Sequence, residues 1–117
     1  MSFPYRITPK AWREIARALD RSAREFGYAA RDRYEALIFT AITDIAANPL
    51  RVESRAKPNL GRGARSWHLR LSRARARTPT GMVKAPRHVI FYRVETGVVI
   101  IERVMHDASN IPRHFSK

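Results

Sequence analysis

The chain has 117 residues, of which 23 are lysine or arginine and 10 are acidic, for a net charge of +13. This length fits one domain able to bury roughly two-thirds of its unfolded surface. The absence of cysteine excludes disulfides, thiolate metal sites and a cysteine nucleophile. No apolar segment precedes Arg6 and no apolar run approaches the roughly 18 residues of a membrane span, so a soluble cytoplasmic protein with no membrane partner is expected. Residues 1–48 hold eight basic and six acidic side chains, net +2, whereas residues 49–117 hold fifteen and four, net +11. Such asymmetry points to a polyanion or an acidic protein meeting the C-terminal portion.

Phe3, Tyr5 and Ile7 alternate in a short run that suits an edge strand, because Pro4 would spoil a central one. Thr8-Pro9 then reads as a helix start, N-cap followed by first helical residue. Trp12, Ile15, Ala16, Leu19, Ala23 and Phe26 mark its apolar stripe, and Gly27 its end. A second helix is expected from about Ala29 to Ala47. Its stripe is Tyr34, Leu37, Ile38, Ala41, Ile42 and Ile45, with Asn48-Pro49 as the stop. With only Gly27 and Tyr28 between them, the two helices must return as an antiparallel hairpin.

Leu50 to Ala64, with Pro58, Gly61 and Gly63, reads as a surface loop. Arg65 to Leu71 alternates as a half-buried strand, with Trp67, Leu69 and Leu71 inward. Residues 72–86 begin SRARARTPTGMVKA, lack sustained alternation, and read as a long, mobile, basic hairpin loop. Two β-branched and aromatic runs follow, Val89 to Val94 and Val98 to Val104. The break Glu95-Thr96-Gly97 between them can reverse the chain. Strict alternation places His88, Ile90, Tyr92 and Val94 on one face, and Arg87, Val89, Phe91 and Arg93 on the other. In the second run it groups Val98, Ile100, Glu102 and Val104 against Val99, Ile101, Arg103 and Met105. Residues 106–117 form a polar, basic tail. The order predicts a single α+β domain: an N-terminal strand, then a helical hairpin packed on one face of a mainly antiparallel sheet.

Three stretches in this order resemble the ParE branch of the RelE/ParE toxin superfamily of bacterial toxin–antitoxin systems. They are YRITPKAWREIARALD, DRYEALIFTAITDIAANP and RHVIFYRVETGVVIIERVMHDASNIPRHF. The chain departs from that pattern at Arg73 to Pro86, an arginine-rich insertion where such proteins usually have a short turn. The resemblance implies a toxin with a helical hairpin over a curved sheet, neutralised by a ParD-like antitoxin that wraps around it. ParE-type toxins act on DNA gyrase by stabilising its cleaved-DNA state, without being enzymes themselves. RelE-type relatives cleave mRNA in the ribosome with basic and acid–base side chains on the concave sheet face.

Both activities have candidate residues. RNA cleavage through the 2′-hydroxyl needs a base, an acid and cations for the developing charge. Arg70, Arg87 and Arg93 are the candidate cations, and His68, His88 or His106 the acid or base. His106 stands after the last strand, where the RelE branch keeps a catalytic side chain. For target binding the candidates are Arg87, Arg93, Arg103, His106 and Arg113, with Asn110 and His114 in the tail. Tyr92 suits either stacking on a partner or core packing. Trp12, Tyr28 and Tyr34 are the candidate antitoxin contacts, in apolar grooves between the helical hairpin and the sheet edge, where an acidic partner suits the +13 charge. Charge alone also admits a nucleic-acid contact. Four histidines without a carboxylate cluster give no metal motif, and no cofactor is expected.

Overall fold

The computed structural model describes residues 2–109. Strand β1 (Tyr5–Ile7) leads into helix α1 (Pro9–Phe26), and helix α2 (Tyr28–Ala47) returns beside it. Strands β2 (Arg55–Ala56), β3 (Arg65–His68), β4 (His88–Glu95) and β5 (Val98–His106) complete a sheet in the order β1-β5-β4-β3-β2. Only β1 pairs in parallel, with β5; the other neighbours are antiparallel. The α+β reading therefore holds, with both helices on one face of the sheet.

Local chemistry sets the helix ends. The Thr8 hydroxyl accepts from the Ala11 amide at 3.1 Å and donates to the Glu102 carbonyl at 2.9 Å, capping α1 while fastening it to β5. Gly27 joins the helices at φ 92°, a left-handed conformation that favours glycine. The core gathers Ala11, Ile15 and Leu19 of α1, Leu37, Ile38, Ala41, Ile42 and Ile45 of α2, and Trp67, Ile90, Tyr92, Val99, Ile101 and Val104 of the sheet. Tyr92 is fully buried and its hydroxyl donates to the Pro49 carbonyl at 2.5 Å, so it is a core residue. The α1 stripe is divided. Ile15 and Leu19 face the sheet, whereas Trp12 and Phe26 are exposed.

The β4–β5 hairpin turns through Thr96 and Gly97, both at positive φ (51° and 75°), which is the two-residue loop whose twist matches the strands. Its second strand corrects the expected alternation. Phe91 pairs with Arg103 and Tyr92 with Ile101, leaving Glu102 as the extra residue of a β-bulge. Val99 and Ile101 face the helices before the bulge and Val104 after it, so Val104 does not share the face of Val98 and Ile100. Glu14 of α1 fills the irregularity. Its carboxylate accepts from the Val104 amide at 2.8 Å and from the Arg103 guanidinium at 2.5 Å.

Two further expectations change. The strand predicted to reach Leu71 stops at His68, and Leu69–Arg75 forms 3₁₀ turns. Asp44 of α2 organises this segment. It accepts from the Ser72 hydroxyl at 2.6 Å and from Arg75 at 2.7 Å, and Ser72 in turn accepts from the Trp67 indole at 3.0 Å. Ser72 and Ala76 are buried, so the start of the basic connection is folded against α2, and a Thr78–Gly81 bridge closes a small turn further on. The loop expected over Leu50 to Ala64 contributes β2, the last strand of the sheet.

Candidate functional site

The ends of β3, β4 and β5 bring three histidines, Tyr34, Arg87 and Asp107 together. Their hydrogen bonds fix the histidine tautomers. His68 Nδ1 accepts from the Arg70 amide at 3.1 Å, so its Nε2 carries the proton donated to Asp107 at 3.0 Å. His106 Nδ1 accepts from the Ala108 amide at 3.1 Å, which leaves the 3.7 Å approach of Asp107 as an electrostatic contact only. Burial pushes the Tyr34 phenol up to about 12 and, together with neighbouring His106, the His88 imidazole down to about 4. Near neutral pH the Tyr34 hydroxyl therefore donates to a neutral His88 Nδ1, at 2.5 Å. Hydrogen bonds from Arg87 and His68 hold the Asp107 carboxyl well below the usual carboxylate range. Each of these imidazoles has its acceptor nitrogen already occupied, so none stands ready as a general base.

The arginines singled out from the sequence are largely neutralised where they stand. Arg87 makes paired hydrogen bonds to Asp107 at 2.9 and 3.0 Å. Arg93 meets Glu95 at 2.6 Å and Glu102 at 3.4 Å, while burial raises the Glu102 carboxyl. Arg103 is held by Glu14, with both side chains only 12% exposed. Arg87, Arg93 and Arg103 therefore do not form one open cationic surface. Arg113, Asn110 and His114 lie outside the described residues, as does the tail beyond Ser109.

Nine of the ten acidic side chains engage in ion pairs, so the surplus charge resides on particular cations. Some of these lie on the sheet face opposite the helices, where a cleft of about 430 Å³ opens beside β2 and β3. Arg55, Lys57 and Arg70 line it with no ion pair among the described residues, together with His68, Ser66 and the apolar Leu60, Leu71 and Val89. Of the predicted residues, Arg70 and His68 reach this cleft. Arg55 and Lys57 escaped sequence reasoning, because a two-residue strand leaves too little alternation to read. Among the described residues, no group of three or more histidine, cysteine or carboxylate side chains is placed to hold a metal ion.

On the opposite side, α1 and α2 leave a groove between them, lined by Trp12, Ile15, Leu19, Ala23, Tyr28 and Phe39. Tyr28 is 80% exposed and Trp12 49%, and the Trp12 ring lies 6.1 Å from that of Phe39. Two of the three predicted antitoxin contacts thus share one groove, which lies between the helices and not at the sheet edge. Tyr34 lies elsewhere: its hydroxyl belongs to the His88 network and accepts from the Arg87 amide at 3.3 Å. No helix among the described residues is long and apolar enough to cross a membrane.

These features have relatives. The fold resembles the chromosomal ParDE toxin–antitoxin system from P. aeruginosa, with a TM-score of 0.66 and 13% identity over 90% of this chain and 96% of that one. It also resembles the toxin–antitoxin complex RelBE2 from Mycobacterium tuberculosis, with a TM-score of 0.53 and 20% identity over 91% of this chain and 99% of that one. No curated protein matches the sequence. Residues 5–111 match the family described as the ParE toxin of the type II toxin–antitoxin system parDE. The chain belongs to the ParE toxin family.

Proposed function

We propose that this protein is a toxin that poisons DNA gyrase in the cytoplasm and is silenced by a ParD-like antitoxin. The observation that carries the reading is the family match over residues 5–111. The strand-end cluster supports a binding poison over a ribonuclease. Its histidines have their acceptor nitrogens occupied, and Arg87 is bound to Asp107. Acid–base cleavage of RNA needs a free base beside free cations, and that combination is missing among the described residues.

The groove between α1 and α2 supports the antitoxin half of the reading. An amphipathic helix laid into it would cover Trp12, Tyr28 and Phe39, with acidic flanks suited to a +13 protein. Expression in a susceptible bacterium tests the whole proposal. Growth arrest with DNA breaks and continuing protein synthesis, reversed by the cognate antitoxin, is the expected outcome. Immediate arrest of translation with cut messages and intact DNA would replace it with the RelE-type reading.

A further inference from the structure

We infer that the cleft beside β2 and β3 is a phosphodiester-binding site that grips single-stranded DNA without cutting it. The choice of DNA rests on the gyrase reading above; the phosphate chemistry rests on the cleft itself. Antiparallel pairing sets Arg55 opposite Ser66, and His68 lies two residues further along the same face. Arg70 follows at the start of the 3₁₀ segment, and Lys57 extends the line beyond β2. Three cations thus border one concavity, each without an ion pair among the described residues, while Glu53 is the acidic side chain on the rim. The volume of about 430 Å³ falls within the roughly 300–1,000 Å³ of ordinary ligand clefts.

Most other arginines between residues 49 and 109 have carboxylate or carbonyl partners, as Arg75, Arg87 and Arg93 do. Leaving Arg55, Lys57 and Arg70 unpaired around a cleft is what an anionic ligand requires. The half-buried Leu60, Leu71 and Val89 provide an apolar floor for a sugar or base edge. The aromatic residue there, Phe91, is 2% exposed and offers no stacking platform, so recognition is through the backbone and tolerates any sequence. His68 borders the cleft with Nδ1 occupied by the Arg70 amide and its Nε2 proton on Asp107. A bound strand therefore meets no free base among the described residues.

The test is fluorescence anisotropy of a labelled single-stranded DNA oligonucleotide against salt, with no gyrase present. Each phosphate contact contributes about −0.7 to the slope of log affinity on log salt for a single strand. The Arg55→Ala/Lys57→Ala/Arg70→Ala protein should lose at least about tenfold in affinity at low salt and flatten the slope by about 2. A Lys10→Ala/Arg13→Ala/Arg17→Ala protein, with the same charge change on α1, should keep the wild-type slope to within about half a unit. Equal losses from both triple variants, no binding at low salt, or more than tenfold preference for RNA of the same sequence would overturn the proposal. So would cleavage of that RNA by the protein alone. Because gyrase is absent, failure here leaves the gyrase reading standing, and failure of gyrase poisoning leaves this binding measurable.

Discussion

Glu14 and Arg103, 89 residues apart in sequence, meet at 2.5 Å where the first helix crosses the bulge of the last strand. The same carboxylate takes the Val104 amide that the bulge would otherwise leave unpaired. Removing it takes a carboxylate from a guanidinium that is 12% exposed and strands that backbone donor. Glu14→Ala should destabilise the fold by about 2–3 kcal/mol. Glu14→Gln, which keeps an acceptor for Val104, should be the milder change. Urea unfolding of both variants checks the ordering; equal stabilities would deny the bulge contact its role.

Stability should fall in acid in two stages. His88 has its pKa lowered to about 4, so between about pH 6.5 and 4 the unfolded chain binds the proton more readily than the folded one. The contribution is fully present above about pH 6.5 and falls through this window by about 3 kcal/mol at most. Asp107, whose folded pKa is depressed, contributes stability that is present above its unfolded value near 4 and is lost as pH falls further. His88→Asn should flatten the profile between pH 4 and 6.5 while leaving the steeper loss below pH 4. Asp107→Asn should do the reverse.

Thr96 holds a β-branched side chain at φ 51°, a conformation better suited to asparagine or glycine. Thr96→Asn creates the Asn-Gly pair preferred in such a turn and should stabilise by about 0.5–1 kcal/mol, raising Tm by a few degrees. A lower Tm on calorimetry would show that the Thr96 side chain has a favourable role of its own.

The groove between the helices divides the three aromatic candidates. Trp12→Ala and Tyr28→Ala should each weaken antitoxin binding by at least about tenfold, as truncation of exposed aromatic anchors does. Tyr34→Phe should leave affinity nearly unchanged and instead lower stability by about 1 kcal/mol, through loss of the hydrogen bond to His88. Calorimetric titration with the antitoxin distinguishes these effects. Strong weakening by Tyr34→Phe alone would move the antitoxin to the other side of α2.

The parts of this fold that were legible in the sequence are those fixed by neighbours in the chain. Thr8-Pro9 starts a helix, Asn48-Pro49 ends one, and Thr96-Gly97 turns a hairpin because each acts within a few residues. The bulge at Glu102 was not legible, since it depends on a carboxylate contributed by α1. Nor was the 3₁₀ segment, which Asp44 organises from α2 through Ser72 and Arg75. The partners of several arginines were hidden for a related reason. Arg87, Arg93 and Arg103 look like open cations in one dimension, and only the fold brings acids to them. Arg55 and Lys57 look unremarkable in the sequence, and only the fold leaves them beside a cleft with no ion pair among the described residues.

The most direct test of the central claim is to incubate the purified protein, free of antitoxin, with DNA gyrase, ATP and supercoiled plasmid, then add detergent and protease. Accumulation of linear, protein-linked DNA, abolished by prior addition of the antitoxin, is the predicted result. Unbroken plasmid with undiminished supercoiling activity, alongside ribosome-dependent cuts in a translated message, would contradict it.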